Sequence, residues 1–258
     1  MRAPNYARPL LLSVLLGATG LTPAHAQGRP FLEWAGELSL VRSGGGDTTW
    51  QISHVAGGVQ EDGRYGWTLA GEHHRRGDLG DWVGQANAFR RAGVWIVSGG
   101  VGLAADPEFT YRQSLEGELA RIVGRGFVVH GGYRYLRYRD ATVHVIQPAV
   151  SWYLRGHELQ ARGFVVRNAT TDEQSGTVLL RANLEASPRI RLAAGTALGT
   201  RIFDATAIRN TDAEAWVVFG FARIAVTPHF TVVAGAGGAH EEPMFDQRTL
   251  SLGARWTF

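Results

Sequence analysis

Histidines are the residues of this sequence with the clearest capacity for chemistry, and His73 and His74 stand side by side, shortly before Asp78 and Asp81. Imidazole and carboxylate groups are ligands that zinc sites use. If the two histidines lie on a strand, however, their side chains point to opposite faces and cannot easily reach one ion. We therefore predict a polar rim with one imidazole facing inward and the other outward, without a metal site or a cofactor.

A nucleophile paired with a base would be a second kind of site. Lipid hydrolases built on β-barrels can place a histidine and a serine two residues apart on one strand face, so that the imidazole takes the hydroxyl proton. The sequence contains no His-x-Ser, and its nearest approach is His229-Phe230-Thr231. We therefore predict no catalytic residues and no enzymatic activity. The open alternative is a hydrolase of lipid A or phospholipid at the barrel rim, with His73, His74 and His240 as its candidates.

Charged side chains fall on one of two alternating rows in several segments. Within 177–186, Arg181 and Glu185 share one row, while Val178, Leu180 and Leu184 form the other. Exposing such a charge to hydrocarbon near the bilayer midplane costs about 2 to 4 kcal/mol, so the charged row must face away from lipid. The same argument predicts a lumen lining that consists of Glu33, Glu37, Glu116, Glu118, Arg134, Arg162, Arg181, Glu185 and Arg255.

These rows imply strands, and the breaks between them give the number of strands. From Phe31 onward, six short breaks with Gly or Pro alternate with seven longer, more polar breaks. This pattern predicts about fourteen antiparallel strands, or twelve if weak segments merge. An even number places the segment 33–41 beside 249–258 and closes an up-and-down transmembrane β-barrel without edges. No break predicts an obvious long constriction loop, and a soluble β-sandwich or barrel is the alternative architecture.

The first 26 residues have the composition of a secretory signal peptide. Arg2 and Arg8 precede an apolar run at 10–21, and Ala24-His25-Ala26 forms a small-residue cleavage site. The run is shorter than the roughly 20 residues that a membrane-spanning helix needs. We predict that residues 1–26 are removed on export and that residues 27–258 form one barrel in the bacterial outer membrane.

The composition excludes other classes of protein. The 26 basic residues are all arginines, and they stand singly among 23 acidic residues, which argues against a nucleic-acid partner. Cysteine is absent, so neither a disulfide framework nor a lipid-attachment cysteine is available. After the signal peptide no long stretch shows the apolar period of a helix. The chain is therefore predicted to be all-β.

Aromatic residues concentrate near the segment ends, as in the girdles of membrane barrels. They are Trp34, Trp50, Trp67, Trp82, Trp95, Trp152, Trp216, Trp256 and Phe258. The last segment, R-T-L-S-L-G-A-R-W-T-F, alternates between polar or small residues and apolar ones. Such a strand with Phe258 at its end resembles the assembly signal of bacterial outer-membrane barrels. This resemblance implies the barrel-assembly machinery and outer-membrane lipids as partners.

Three stretches of the sequence resemble one particular family. They are E-H-H-R-R-G-D-L-G-D-W at 72–82, G-G-V-G-L-A-A-D-P-E-F at 99–109, and G-G-Y-R-Y-L-R-Y-R-D followed by V-I-Q-P-A-V-S-W-Y-L within 131–154. In these stretches the chain is similar to the YaiO family of outer-membrane β-barrels. The resemblance implies a fold and a location, and it carries no catalytic residues over to this sequence.

The predicted lumen lining carries charges of both signs, which suggests a narrow channel or a structural barrel that serves envelope or exopolysaccharide traffic. Its partners would be exported polysaccharide or small solutes. A surface-interaction protein is a further alternative, and it would use the polar breaks at 168–176 and 204–213. The sequence leaves open whether the charged rows line a pore or interlock as a plug.

Overall fold

The computed structural model describes residues 29–44, 46–61, 64–200, 214–242 and 245–258. The predicted signal peptide and the predicted polar break at 204–213 lie outside these ranges. In the part of the chain that the structure describes, no helix is long and apolar enough to cross a membrane.

Fourteen strands follow one another along the chain. Their bounds are β1 (Arg29–Ser43), β2 (Gly46–Glu61), β3 (Tyr65–Arg76), β4 (Leu79–Ala92), β5 (Trp95–Ala104), β6 (Gln113–Gly124), β7 (Phe127–Arg137), β8 (Thr142–Leu154), β9 (His157–Asn168), β10 (Glu173–Ser187), β11 (Ile190–Thr200), β12 (Glu214–Ala225), β13 (Phe230–Glu241) and β14 (Phe245–Thr257).

Each strand pairs antiparallel with its neighbours in the sequence, and the ladder between β1 and β14 closes the barrel. That ladder runs in continuous register from Phe31 opposite Thr257 to Ser43 opposite Phe245. Every strand therefore has two partners, which removes the unpaired edges of an open sheet. The prediction of an all-β, up-and-down barrel with about fourteen strands is confirmed, and the twelve-strand alternative is wrong.

Turn chemistry distinguishes the two ends of the barrel. Arg155 and Gly156 connect β8 to β9 with φ values of 48° and 87°, and Leu154 pairs directly with His157. Two residues with positive φ form the hairpin turn that matches the right-handed twist of paired strands. We call the end with these short turns, where β1 begins and β14 finishes, the turn end. The opposite end, where β1 finishes and β14 begins, is the loop end; it has the eight-residue connection 105–112 as well as two-residue connections between β1 and β2 and between β3 and β4.

The outer face of the barrel is an apolar belt. Leu40, Leu103 and Leu250 are each exposed over more than half of their surface. Seven of the eight tryptophans are exposed as well, in line with the predicted girdles, but Trp50 is buried. Trp50 occupies the inward row of β2, where it packs against Phe245 with ring centroids 5.7 Å apart. Its assignment to a membrane girdle is therefore wrong.

The apolar core of this barrel lies inside the lumen, close to the loop end. We call this group of buried side chains the loop-end cluster. Its members are Val41, Trp50, Val83, Tyr111, Leu136, Tyr138, Ala141, Val143, Val145, Phe164, Leu179, Ala197, Ala215, Val217, Phe219, Ala239 and Phe245. Val143 is completely shielded from solvent, and Leu136 is nearly so. The inward row at this end therefore packs like the interior of a soluble protein.

Candidate functional site

The nine predicted lining residues all lie on the inward rows of their strands, the rows that also hold the buried side chains. Eight of them form ion pairs, two with partners outside the predicted set. The pairs are Glu33–Arg255 at 3.8 Å, Glu116–Arg134 at 3.6 Å, Glu118–Arg162 at 2.7 Å, Arg181–Glu158 at 3.6 Å and Glu185–Arg191 at 3.9 Å. Among the described residues Glu37 has no arginine partner, and the Ser39 hydroxyl donates to its carboxylate over 3.4 Å.

Glu118 is the centre of a network that links four strands. Its carboxylate contacts Nδ1 of His130 on β7 at 3.0 Å and Nη1 of Arg162 on β9 at 2.7 Å. The same Arg162 nitrogen donates to Oε1 of Gln147 on β8 over 3.1 Å. Charged groups removed from water need such partners, because an unpaired buried charge is strongly destabilising. The network therefore ties β6 to β9 across the inner wall.

Glu158 is the centre of a second network, in which Arg181 and Glu158 each leave only 9% of the side chain exposed. The Tyr153 hydroxyl donates to this carboxylate over 3.0 Å, and the Asn183 amide donates over 2.7 Å. Two hydrogen-bond donors and one cation thus surround this carboxylate. This arrangement satisfies a buried carboxylate and fixes its position.

Glu72 is the centre of a third network, which the sequence did not single out. One carboxylate oxygen contacts Nε2 of His74 at 2.8 Å, and the other contacts Nδ1 of His54 at 3.3 Å. His73 points outward and stacks on Trp82 with centroids 4.5 Å apart. The prediction of one histidine inward and one outward is confirmed. No group of three or more metal-ligating side chains occurs in the described ranges.

Asp81 holds the connection between β5 and β6 inside the barrel. Its carboxylate accepts hydrogen bonds from the backbone N–H groups of Glu108, Phe109 and Thr110 at 2.8, 2.9 and 2.7 Å, and from the Thr110 hydroxyl at 2.9 Å. Asp81 itself is almost fully buried. Residues 105–112, which we call the inner loop, thus line the lumen. The sequence did not predict that this short connection folds into the lumen.

Aromatic and cationic side chains fix the inner loop against the wall. The guanidinium of Arg76 lies 4.3 Å from the centroid of Phe109 on one side and 4.8 Å from that of Trp50 on the other. Arginine stacked on an aromatic face gains a favourable electrostatic interaction, which is larger away from water. Phe109, Arg76 and Trp50 therefore connect the inner loop to the loop-end cluster.

Tyr111 anchors the second half of the inner loop. The amide of Gln85 donates to its hydroxyl over 3.1 Å, and the guanidinium of Arg134 lies 5.9 Å from its ring centroid. Burial raises the pKa of the Tyr111 hydroxyl, so this group remains neutral under physiological conditions. A neutral phenol can pack in the loop-end cluster without a counterion.

The remaining candidate residues lie apart from these networks. His240 faces outward beside Trp216, and its Nδ1 contacts Asp246 at 2.8 Å, while His229 lies in the turn between β12 and β13. The three histidines considered for a rim hydrolase are therefore not assembled into one site. Phe258 is 61% exposed, and its N–H donates to the carbonyl of Pro30 over 2.9 Å. Its role as an assembly signal stays a prediction.

Solved structures with similar folds are outer-membrane barrels. One is a loop-deleted form of the outer membrane protein OmpT of Vibrio cholerae, with a TM-score of 0.53, 10% identity, and coverage of 90% of this chain and 100% of that chain. Another is an outer membrane channel from Pseudomonas putida F1, with a TM-score of 0.52, 12% identity, and coverage of 93% and 98%. At these identities the likeness shows the fold alone. Comparison with curated proteins gives no significant match.

A family model identifies the chain more specifically. The model describes the YaiO membrane β-barrel domain, and it matches residues 41–202. The matched range extends from the end of β1 to the end of β11, so it includes the Glu72, Glu118 and Glu158 networks and the inner loop. It covers more than half of the 258 residues, and the chain therefore belongs to the YaiO family of membrane β-barrels.

Proposed function

We propose that this outer-membrane β-barrel is a gated channel, closed at its loop end and open to solvent at its turn end. The observation that carries the proposal is the inner loop, a connecting segment that folds into the lumen, where the carboxylate of Asp81 accepts four hydrogen bonds from it and Arg76 and Gln85 contact it as well. A purely structural barrel has no use for a movable segment inside its lumen. In a channel, such a segment can open and close the path and so serve as a gate.

The inward-facing side chains at the two ends of the lumen support this proposal. The side chains of the loop-end cluster are apolar and buried, and apolar constrictions block ions and water by excluding water from the path. Toward the turn end the wall carries acids and arginines, and Glu185 and Arg191 remain about one third exposed. Charged walls of this kind select solutes in water-filled lumens. The barrel moves a small solute or a saccharide past this wall and carries out no chemistry on it.

Release of the inner loop is the opening step of this proposal. Asp81 accepts hydrogen bonds from three backbone N–H groups, of which that of Phe109 is buried and those of Glu108 and Thr110 are partly buried. Removal of the carboxylate takes away their partner, and a donor left buried without a partner costs about 1 to 3 kcal/mol. The loop then gains more by moving toward water than by staying in the lumen. Asp81→Ala should therefore shift the barrel toward an open state.

Uptake by proteoliposomes tests the proposal. Purified wild-type protein, Asp81→Ala and the control Asp172→Asn are reconstituted, and swelling is recorded in neutral sugars of increasing size. Asp172 is a loop aspartate with an exposed partner, Arg167, and asparagine tolerates its φ of 60°, so loss of its charge leaves the lumen unchanged. We expect slow uptake by the wild type and the control, and uptake at least about tenfold faster by Asp81→Ala, given the bonds that it loses. Folded Asp81→Ala barrels that admit no sugar would contradict a gated channel.

Two further parts of the proposal concern biogenesis. Residues 1–26 are removed on export, and Phe258 is recognised by the barrel-assembly machinery. N-terminal sequencing of protein extracted from membranes tests the first part, because it should find Gln27 as the first residue. Deletion of Phe258 tests the second, because it should reduce the amount of barrel in the membrane without changing its amount at synthesis.

A further inference from the structure

Three arginines converge on the inner wall near the turn end. Arg191 of β11 is in register with Arg223 of β12, and Arg255 of β14 lies on the far side of β13. Neighbouring strands are about 5 Å apart, and guanidinium groups on long side chains can span two such steps. All three side chains lie on the inward rows of their strands, and Arg191 and Arg223 are directly opposite each other. We call these three residues the arginine wall.

The counterions of the arginine wall are fewer than its arginines. Glu185 pairs with Arg191 at 3.9 Å, and Glu33 pairs with Arg255 at 3.8 Å. Arg223 forms no hydrogen bond or ion pair with any residue that the structure describes. The group thus has three positive and two negative charges. One positive charge remains without a direct partner.

The wall is accessible from the turn end. The side chains of Arg191 and Arg255 are 32% and 21% exposed, and that of Glu33 is 26% exposed. Arg255 is also held in place, because its guanidinium lies 3.9 Å from the centroid of Phe31 and donates to Gln60 over 3.4 Å. A solute that enters from the turn end meets this group before it reaches the loop-end cluster.

Guanidinium groups bind oxyanions with two parallel N–H donors, which matches the geometry of carboxylates and phosphates. We propose that Arg191, Arg223 and Arg255 form a binding site for an oxyanion group, a phosphate or a carboxylate, on a solute in the lumen. The inference rests on the proposed channel only for the route by which the solute leaves. Binding itself requires only the turn-end wall.

Isothermal titration calorimetry of the full-length barrel in neutral detergent tests this site. The ionic strength is kept low because salt screens the contacts between arginine and an anion. The probes are inorganic phosphate, glucuronate and uncharged glucose. Wild-type protein should bind at least one of the two anions and should not bind glucose. Tighter binding of phosphate indicates a phosphorylated solute, whereas tighter binding of glucuronate indicates an acidic saccharide. Arg223→Gln should weaken the binding about tenfold or more.

Two further variants make the test decisive. Glu185→Gln removes a competing carboxylate, so anion binding should become severalfold tighter. Arg121→Gln is the matched control, because Arg121 stacks on Trp95 at 5.1 Å on the outer face of the barrel, and binding should not change. Heat-modifiable migration on gels verifies folding. The site is disproved if neither anion binds, if Arg223→Gln binds as the wild type does, or if Glu185→Gln gives no gain. These binding results stand apart from sugar uptake, which tests the channel itself.

Discussion

The loop end and the turn end of this lumen are built from the same strands in opposite ways. At the loop end, inward positions carry residues such as Val143 and Phe245, which belong to a cluster of buried apolar side chains. At the turn end, the corresponding positions of the same strands carry Tyr153 and Arg255, which bond to polar partners. The lumen therefore has two sections along the barrel axis: one is packed like the interior of a soluble protein, and the other has a charged wall.

This difference shows what strand alternation can and cannot determine. Alternation assigns a side chain to lipid or lumen, because the outward row must be apolar. The inward row has no such constraint, and its content decides whether a section of the lumen is filled or wet. Substitutions at the loop end should therefore lower the free energy of unfolding and favour an open lumen. Substitutions at the arginine wall should instead change the affinity for anions. The following predictions test this distinction, from the largest expected effect to the smallest.

Trp50→Ala should have the largest effect on stability. It removes a buried ring that contacts Phe245 and Arg76, and the loss of a buried tryptophan typically costs about 3 to 5 kcal/mol. Urea unfolding from lipid vesicles measures the change. Trp34→Ala is the control, because Trp34 faces lipid, which fills the space that the ring leaves. If Trp50→Ala and Trp34→Ala lowered the free energy of unfolding equally, the loop-end cluster would not be a packed core.

Arg181→Met should cost about 3 kcal/mol, because it leaves the buried Glu158 carboxylate without its cation. The double variant Arg181→Met with Glu158→Leu should recover more than half of that loss, since no unpaired charge then remains. The same unfolding assay compares the two variants. If the double variant is less stable than the single one, the pair contributes stability of its own and is not merely a compensated charge.

Thr110→Val should cost about 1 kcal/mol, because it deletes one hydroxyl bond to Asp81 and keeps the three backbone bonds. Sugar uptake should rise above the wild-type rate but stay well below that of Asp81→Ala. Thr171→Val is the control, since its hydroxyl donates to Glu173, the first residue of β10, in an exposed hydrogen bond outside the lumen. Uptake by Thr110→Val equal to that by Asp81→Ala would show that the backbone bonds contribute nothing to closure.

Asp172→Asn should have the smallest effect on the free energy of unfolding, below about 0.5 kcal/mol, because the pair of Asp172 with Arg167 is largely exposed to water and asparagine tolerates the φ of 60° at this position. Unfolding at low and at high salt measures this contribution, which should vanish at high salt. A loss as large as that of Arg181→Met would remove the distinction between lumen pairs and loop pairs.

Much of the barrel could be predicted from the sequence because its constraints are local. Leu38 and Leu40 alternate with Glu37 and Ser39, and the structure exposes the leucines while it buries the other two. Strand number followed from turn residues at regular intervals. The pairing of β1 with β14 followed from an even count.

The inner loop could not be predicted, because its position depends on a residue far away in the sequence. The stretch A-D-P-E-F-T-Y-R has no period, and Asp81 binds it from β4. Trp50 likewise looked like a girdle residue, since only its inward row distinguishes it from the other tryptophans. By contrast, Glu72 and His74 stand two residues apart, so alternation alone already places them on one face.

Single-channel recording in planar bilayers tests the central claim most directly, because it resolves individual openings of the lumen. Wild-type barrels should be silent or open only in brief events, and Asp81→Ala should show long openings with steady conductance. Long, steady openings of the wild-type barrel, unchanged by Asp81→Ala, would contradict closure of the loop end by the inner loop.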